Sequence, residues 1–238
     1  MKKRLKINGL LIALAVVAIV LAPSLFFRPY SASLRETALE LFGSALILLG
    51  QLIRVSARGY KAEHSGKGTI LIQSGPYSFV RNPMYLGILL IGIGIVSMLF
   101  KWWVAGIFLA IFIIRYIALI FQEEKKLIGL FPRQCQVFYK KVPRLIPAPA
   151  SIVKNNIAVY LPLKITWLKK DAGSIVAAIG SALVLKTWEN FRTEGSLMHR
   201  NELLRMLGVI VAFICLLVFL IRRTERLENA ISNKSKAA

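Results

Sequence analysis

The sequence predicts an all-α protein, a bundle of about six membrane-spanning helices. Of its 238 residues 56% are hydrophobic, compared with about 45–50% in a soluble domain. The apolar residues lie in blocks of roughly 17–22, the length at which a helix crosses the hydrocarbon core of a bilayer. The chain is also strongly basic, with 32 Lys and Arg against 11 Asp and Glu. We interpret this charge as the cytoplasmic face of a membrane protein that meets anionic lipid, and not as a nucleic-acid surface.

Six apolar runs account for this architecture, although the fifth is marginal and five spans are the alternative. The first run follows the basic start MKKRLK. It predicts a retained helix, with a cleaved signal peptide as the alternative. A further apolar stretch, residues 157–168, is short and contains Lys164, so we expect it to lie at the membrane interface. The six predicted spans are residues 7–27, 34–57, 84–100, 104–121, 173–188 and 203–221.

The distribution of basic residues predicts the orientation of these spans. Six spans place both termini on one side of the membrane. On that side we count 24 of the 32 Lys and Arg residues, against 6 on the other, with Arg115 and Arg205 inside spans. The positive-inside rule therefore predicts cytoplasmic termini. The long polar segments 58–83 and 122–171 then face the cytoplasm as well.

The cysteine and histidine residues predict neither a disulfide nor a metal site. Cys135 lies in a basic segment and Cys215 in an apolar run, so we expect them at different depths. With only His64 and His199 in addition, a cluster of metal ligands is not predicted.

Two polar motifs stand at the same end of one predicted helical hairpin. Residues 75–87 read GPYSFVRNPMYLG and open the third span, whereas Glu123 and Glu124 follow the apolar end of the fourth. Because the two spans form a hairpin, both motifs return to one membrane face. We expect the acidic pair to end its helix, where the helix dipole disfavours negative charge. The alternative is a solvated helix end beside Lys125 and Lys126.

The residue types at this end of the hairpin suit a cationic, partly apolar ligand such as S-adenosylmethionine. Carboxylates pair with its ammonium group, and aromatic rings attract its sulfonium through cation–π contacts. Farther along, residues 142–147 read VPRLIP. Two prolines keep this piece extended, so we expect Arg144 to point back at the acidic pair. The alternative is a basic loop that contacts lipid headgroups.

GPYSFVRNPMYLG, a helical hairpin, EEKKLIGLF and VPRLIP occur in that order over about residues 42–148. This arrangement resembles the isoprenylcysteine carboxyl methyltransferase and phospholipid methyltransferase superfamily. The resemblance implies a multi-pass membrane methyltransferase whose cytoplasm-facing pocket binds S-adenosylmethionine and whose substrates are lipid-like or prenylated. It implies catalytic roles for Glu124 and Arg144, the latter near the substrate. The implied cofactor-binding residues are Tyr77, Arg81, Asn82, Pro83, Tyr85, Gly87, Glu123 and Glu124.

The sequence departs from the superfamily pattern at four positions. Asn82 stands where the superfamily has His, and Pro132 where it has Gly. Cys135 and Phe138 replace two tyrosines. The missing hydroxyl groups bear on substrate contacts more than on cofactor contacts.

We divide the chain into a methyltransferase core, residues 1–148 with its motif-bearing hairpin at 75–147, and a C-terminal part. That part, residues 149–238, comprises the interfacial segment and two additional spans with no predicted role. In-line methyl transfer to a carboxylate or to an amine remains open. An amine acceptor must lose a proton, which Glu124 or water would take. The rival hypothesis is a non-catalytic transporter or scaffold, in which Arg54 and Arg115 mark a polar path and small residues such as Gly92 and Gly94 permit close helix packing.

Overall fold

The computed structural model describes residues 17, 21–28, 33–147, 160–194 and 200–236. These residues form helices and no strand apart from a single antiparallel bridge between Phe27 and Phe100, which confirms the predicted all-α class. A 3-10 turn, Gly66–Gly68, follows the second helix. The helices are α1 Pro23–Phe26, α2 Leu34–His64, α3 Pro76–Phe79, α4 Pro83–Leu99, α5 Trp102–Leu130, α6 Pro132–Lys141, α7 Ile165–Glu194 and α8 Arg200–Lys236.

Two of the described helices, α2 and α5, are long and apolar enough to cross a membrane, and α4 is a shorter apolar helix. These three correspond to the second, fourth and third predicted spans. Most of the first predicted span lies outside the described residues. The fifth and sixth fall within α7 and α8, and the six-span topology with cytoplasmic termini stays a prediction.

Helices α2 and α4 pack antiparallel through two reciprocal pairs of glycines. A Cβ atom added at Gly43 would lie 2.6 Å from the carbonyl oxygen of Gly94, and the reverse contact has the same length. Gly50 and Gly87 face each other in the same way, also at 2.6 Å. Only residues without a side chain allow such close backbone approach. Gly92 instead faces the ring of Phe108 on α5.

Helix α5 runs from Trp102 to Leu130 and contains one π-helical turn, Ile113–Ile117. It extends past the acidic pair, so the prediction that Glu123 and Glu124 end a helix was wrong. No proline occurs between Glu124 and Pro132, and the polar residues therefore continue the apolar helix. The dipole argument made for the pair does not apply within the helix.

The C-terminal helices attach to α2. Arg58 of α2 forms an ion pair with Asp171 of α7, and the amide nitrogen of Gln51 donates to the carbonyl of Ser174 over 2.5 Å. The stretch 160–164 precedes α7 and has a buried core residue, Leu163. Its backbone N–H donates to Thr224 of α8 over 3.0 Å. The described part of the predicted interfacial segment is therefore packed between helices.

Candidate functional site

The GPYSFVR loop is shaped by a glycine turn and two prolines. Gly75 has φ of +59°, a left-handed conformation that favours glycine. A Cβ atom added at Gly75 would lie 2.8 Å from the ring of Tyr60, so the missing side chain makes room for that ring. Pro76 and Pro83 each occupy the first position of a helix, α3 and α4, where proline costs no hydrogen bond. The loop thereby presents Arg81 immediately before α4.

Glu124 lies at the centre of a buried ion-pair cluster with two arginines. Its side chain is 8% exposed. Arg81 Nη1 lies 3.1 Å from Glu124 Oε1, and Arg144 Nη2 donates to Oε2 over 2.8 Å. Arg144 Nε adds contacts of 3.1 and 3.2 Å to the two oxygens. Both oxygens therefore accept charge-assisted hydrogen bonds, which offset the cost of burying the carboxylate.

Further contacts fix the two arginines of this cluster. The Arg81 guanidinium lies 4.4 Å above the ring of Tyr139, and the Arg144 guanidinium lies 4.4 Å above the ring of Phe121. The backbone N–H of Arg81 donates to the carbonyl oxygen of Pro143 over 2.9 Å. The backbone hydrogen bond joins the GPYSFVR loop to the VPRLIP segment, and stacking holds Arg81 against α6 and Arg144 against α5.

Asn82 also binds the VPRLIP segment. Its side-chain Nδ2 donates to the backbone carbonyl of Arg144 over 3.1 Å, although the residue stands at the N-cap position of α4. An N-cap asparagine ordinarily accepts a hydrogen bond from its own helix. Here the amide instead holds the segment that carries Arg144.

Glu123 points elsewhere and is exposed. The hydroxyl of Tyr85 donates to Glu123 Oε1 over 2.8 Å, and among the described residues no donor reaches Oε2. The rings of Tyr85 and Tyr116 lie 5.4 Å apart, and Tyr116 stacks on Phe112 at 4.5 Å. Tyr116 belongs to the π-helical turn, a feature frequent at functional sites. An accessible carboxylate thus stands beside a row of aromatic rings.

The other predicted cofactor residues lie around these two groups. Tyr77 donates weakly to the carbonyl of Ala57 over 3.4 Å. Burial, and secondarily the charge of Glu123, raise the pKa of Tyr77, so its hydroxyl stays protonated. Pro83 is buried, and Gly87 faces Arg54 of α2, whose Cγ would lie 2.5 Å from an added Cβ. Gly87 therefore serves the contact between α2 and α4.

Helix α6 closes the cluster with the residues that differ from the superfamily pattern. Cys135 and Phe138 are buried. Burial raises the pKa of the Cys135 thiol and of the Tyr139 hydroxyl, so both stay protonated near neutral pH. The ring on which Arg81 stacks is that of Tyr139, the residue after Phe138.

Sequence reasoning placed the two motifs together but missed three contributors, Tyr116, Phe121 and Tyr139, and it named Arg54 only under the transporter or scaffold hypothesis. One signal was available for Tyr116, which precedes Glu123 by seven residues. Residues seven apart lie on the same face of a helix after two turns. The stacking of arginines on Phe121 and Tyr139 depends on the packing of separate helices and has no such signal.

The profile of the phospholipid methyltransferase family matches residues 39–134. The predicted resemblance to that superfamily is thereby confirmed. The matched range contains both glycine pairs, the GPYSFVR loop and the acidic pair, whereas Arg144 and the C-terminal helices lie beyond it. Comparisons with curated proteins and with solved structures each found no match. A match to this family over that range favours a membrane methyltransferase.

Proposed function

We propose that the protein is an S-adenosylmethionine-dependent membrane methyltransferase acting on a lipid-like or isoprenylated acceptor. The observation that carries the proposal is the exposed carboxylate of Glu123. Tyr85 holds one of its oxygens, and the ring of Tyr116 lies against Tyr85. This group lies within the range that matches the phospholipid methyltransferase family.

The donor set fits this cofactor. Glu123 would pair with the ammonium group, and the rings of Tyr85 and Tyr116 would face the sulfonium through cation–π attraction. When bound, S-adenosylmethionine supplies an electrophilic methyl group. Glu124 suits the ammonium less well, because Arg81 and Arg144 already occupy both of its oxygens. We therefore propose that Glu123 binds the cofactor and that Glu124 positions Arg81 and Arg144.

Arg144 is the cluster residue best placed to meet an acceptor. Its side chain is 39% exposed, against 13% for Arg81. A carboxylate acceptor is already an anion, and Arg144 would orient it without moving a proton. An amine acceptor must first lose a proton, which water takes, or Glu124 once Arg144 has moved away from it. Beyond this step, in-line transfer needs chiefly positioning and exclusion of water.

Calorimetry with S-adenosylhomocysteine tests cofactor binding in the purified full-length protein. We expect binding to the wild type, and about tenfold weaker binding after Glu123→Gln, because a charge-assisted hydrogen bond is worth about 1.5–3 kcal/mol. The matched control is Glu40→Gln near the start of α2, which should bind as the wild type does. Absence of binding at millimolar ligand would overturn the proposal and favour the transporter or scaffold alternative.

A methyl-transfer assay identifies the acceptor class. Protein in detergent is incubated with methyl-labelled S-adenosylmethionine and a total membrane lipid extract. Label that mild base releases as methanol indicates a carboxylate acceptor, because methyl esters hydrolyse. Label that stays non-volatile after base treatment indicates an amine, because an N-methyl bond is not hydrolysed. If Glu123→Gln transfers label as fast as the wild type at limiting cofactor, the assignment of Glu123 is wrong.

A further inference from the structure

Arg54 of α2 reaches across the contact between α2 and α4. The aliphatic part of its side chain fills the space left open by Gly87, with Cγ and Cδ at 2.5 and 3.3 Å from the position of an added Cβ. Arg54 is partly exposed. The cation is thus held in a fixed place but stays reachable from outside the helix pair.

No carboxylate forms an ion pair with Arg54 among the described residues. Its Nη1 has only a long contact of 3.5 Å to the amide oxygen of Gln51, and its Nε is buried without a hydrogen-bond partner. The carboxylate that acts on Arg54 electrostatically is Asp171, which is already paired with Arg58. Two arginines and one carboxylate leave one positive charge uncompensated between the helices. Such a charge is costly, and an anionic ligand would offset the cost.

The uncompensated cation lies next to the aromatic row at Glu123. Gly87, which Arg54 crosses, lies two residues along α4 from Tyr85. Tyr85 donates to Glu123, and its ring contacts that of Tyr116. Near Tyr85 the protein therefore has an accessible carboxylate, Glu123, and a guanidinium, Arg54, that pairs with no carboxylate of the described residues. These charges are complementary to a cationic cofactor group and an anionic acceptor group.

We propose that Arg54 binds the oxyanion of the acceptor, a phosphate or carboxylate on a lipid-like molecule. The inference rests on the proposed function, because it identifies the anion as part of the methyl acceptor. Arg144 is paired with Glu124 and keeps the role of orienting a reacting carboxylate, so the oxyanion that we assign to Arg54 is a separate anionic group of the acceptor. Gly87, where Arg54 crosses, stands four residues into α4, about 6 Å along the axis from its first residue. That depth suits a headgroup whose apolar chains extend farther along the helices.

A binding experiment tests Arg54 without requiring catalysis. The full-length protein in neutral detergent is titrated with dioctanoyl phosphatidic acid and, separately, with dioctanoylglycerol, and thermal stabilisation gives the two affinities. The two lipids share their acyl chains and differ by the phosphate. We expect the wild type to prefer phosphatidic acid about tenfold or more, as loss of a charge-assisted hydrogen bond implies. Arg54→Gln should reduce this preference to within about twofold, whereas Arg54→Lys should keep part of it.

The matched control is Arg115→Gln, which removes the same charge from an exposed position of an apolar helix. It should retain the wild-type preference. The proposal is overturned if the wild type binds the two lipids equally well, or if Arg54→Gln still prefers phosphatidic acid. It is overturned as well if Arg115→Gln loses this preference as much as Arg54→Gln does. It is also overturned if Arg54→Gln abolishes binding of S-adenosylhomocysteine while lipid binding is unchanged, since Arg54 would then belong to the cofactor site. If the protein does not bind S-adenosylhomocysteine but prefers phosphatidic acid through Arg54, the anion site is supported and the proposed methyltransferase function is refuted.

Discussion

At the scale of single residues, Asn82 and the acidic pair show how neighbouring positions divide their tasks. Glu123 and Glu124 are adjacent on α5, so their side chains project about 100° apart. One carboxylate is consequently buried between Arg81 and Arg144, and the other is exposed beside Tyr85. The sequence predicted that both lie near Arg144, since the prolines of VPRLIP hold that segment extended. Which carboxylate pairs with the arginines depends on the rotation of α5, which no sequence pattern specifies.

Replacing Asn82 tests whether its amide holds the VPRLIP segment in place. Asn82→Asp keeps the size but puts an acceptor against the carbonyl of Arg144, where a donor now lies. We expect a loss of about 1–3 kcal/mol in the free energy of unfolding, the cost of an unsatisfied buried polar group. Thermal unfolding in detergent measures it. Gln136→Glu on the exposed face of α6 makes the same chemical change and should leave the melting temperature nearly unchanged. Equal melting temperatures for both variants would mean that the contact contributes nothing.

At the scale of helices, apolar length predicted α2, α4 and α5, and it placed both ends of α4 to within one residue, but it did not predict the polar ends of α2 and α5. Polar residues continue α2 to His64 and α5 to Leu130, because helix propensity and packing, not hydropathy, decide those ends. The glycine contact was only half foreseen. Gly94 was expected to allow close packing, whereas its counterpart Gly43 and the second pair, Gly50 and Gly87, were not predicted as packing contacts. Their spacing of seven residues puts Gly43 and Gly50 on one face of α2, but it does not indicate which helix that face meets.

The glycine contact predicts a strong effect of one methyl group. In Gly50→Ala the new Cβ would meet the carbonyl oxygen of Gly87 at 2.6 Å, so α2 and α4 must move apart. We expect a loss of about 1–3 kcal/mol, typical of overpacking, measured by thermal unfolding. Gly106→Ala on α5 is the matched control, since an added Cβ there has no neighbour within 4 Å. Helix propensity alone makes that substitution neutral or stabilising. A Gly50→Ala protein as stable as the control would refute the close contact.

At the scale of the whole molecule, the C-terminal helices, for which the sequence predicted no role, are joined to the motif loop through α2. Trp167 of α7 packs on Gly59 and donates its indole N–H to Glu63 over 2.7 Å. Its ring meets the edge of Tyr60 at 6.4 Å, and Tyr60 contacts Gly75 of the motif loop. Contacts between segments about a hundred residues apart depend on the assembled fold, so the sequence offered no signal for them.

Trp167 therefore tests whether the C-terminal part, residues 149–238, and the predicted core, residues 1–148, unfold together. The side chain is 4% exposed, and Trp167→Ala would leave a cavity that costs about 3–5 kcal/mol. We expect a single thermal transition in the wild type, shifted to a lower temperature in the variant. Trp102→Ala removes the same side chain at a site that is 85% exposed, and it should cost less than about 1 kcal/mol. If Trp167→Ala leaves the main transition in place and a second transition appears at lower temperature, α7 unfolds separately and the rest of the bundle is stable without it. If the whole transition shifts, the bundle from α2 to α8 unfolds as one unit, because α2 contacts both the motif loop and α7.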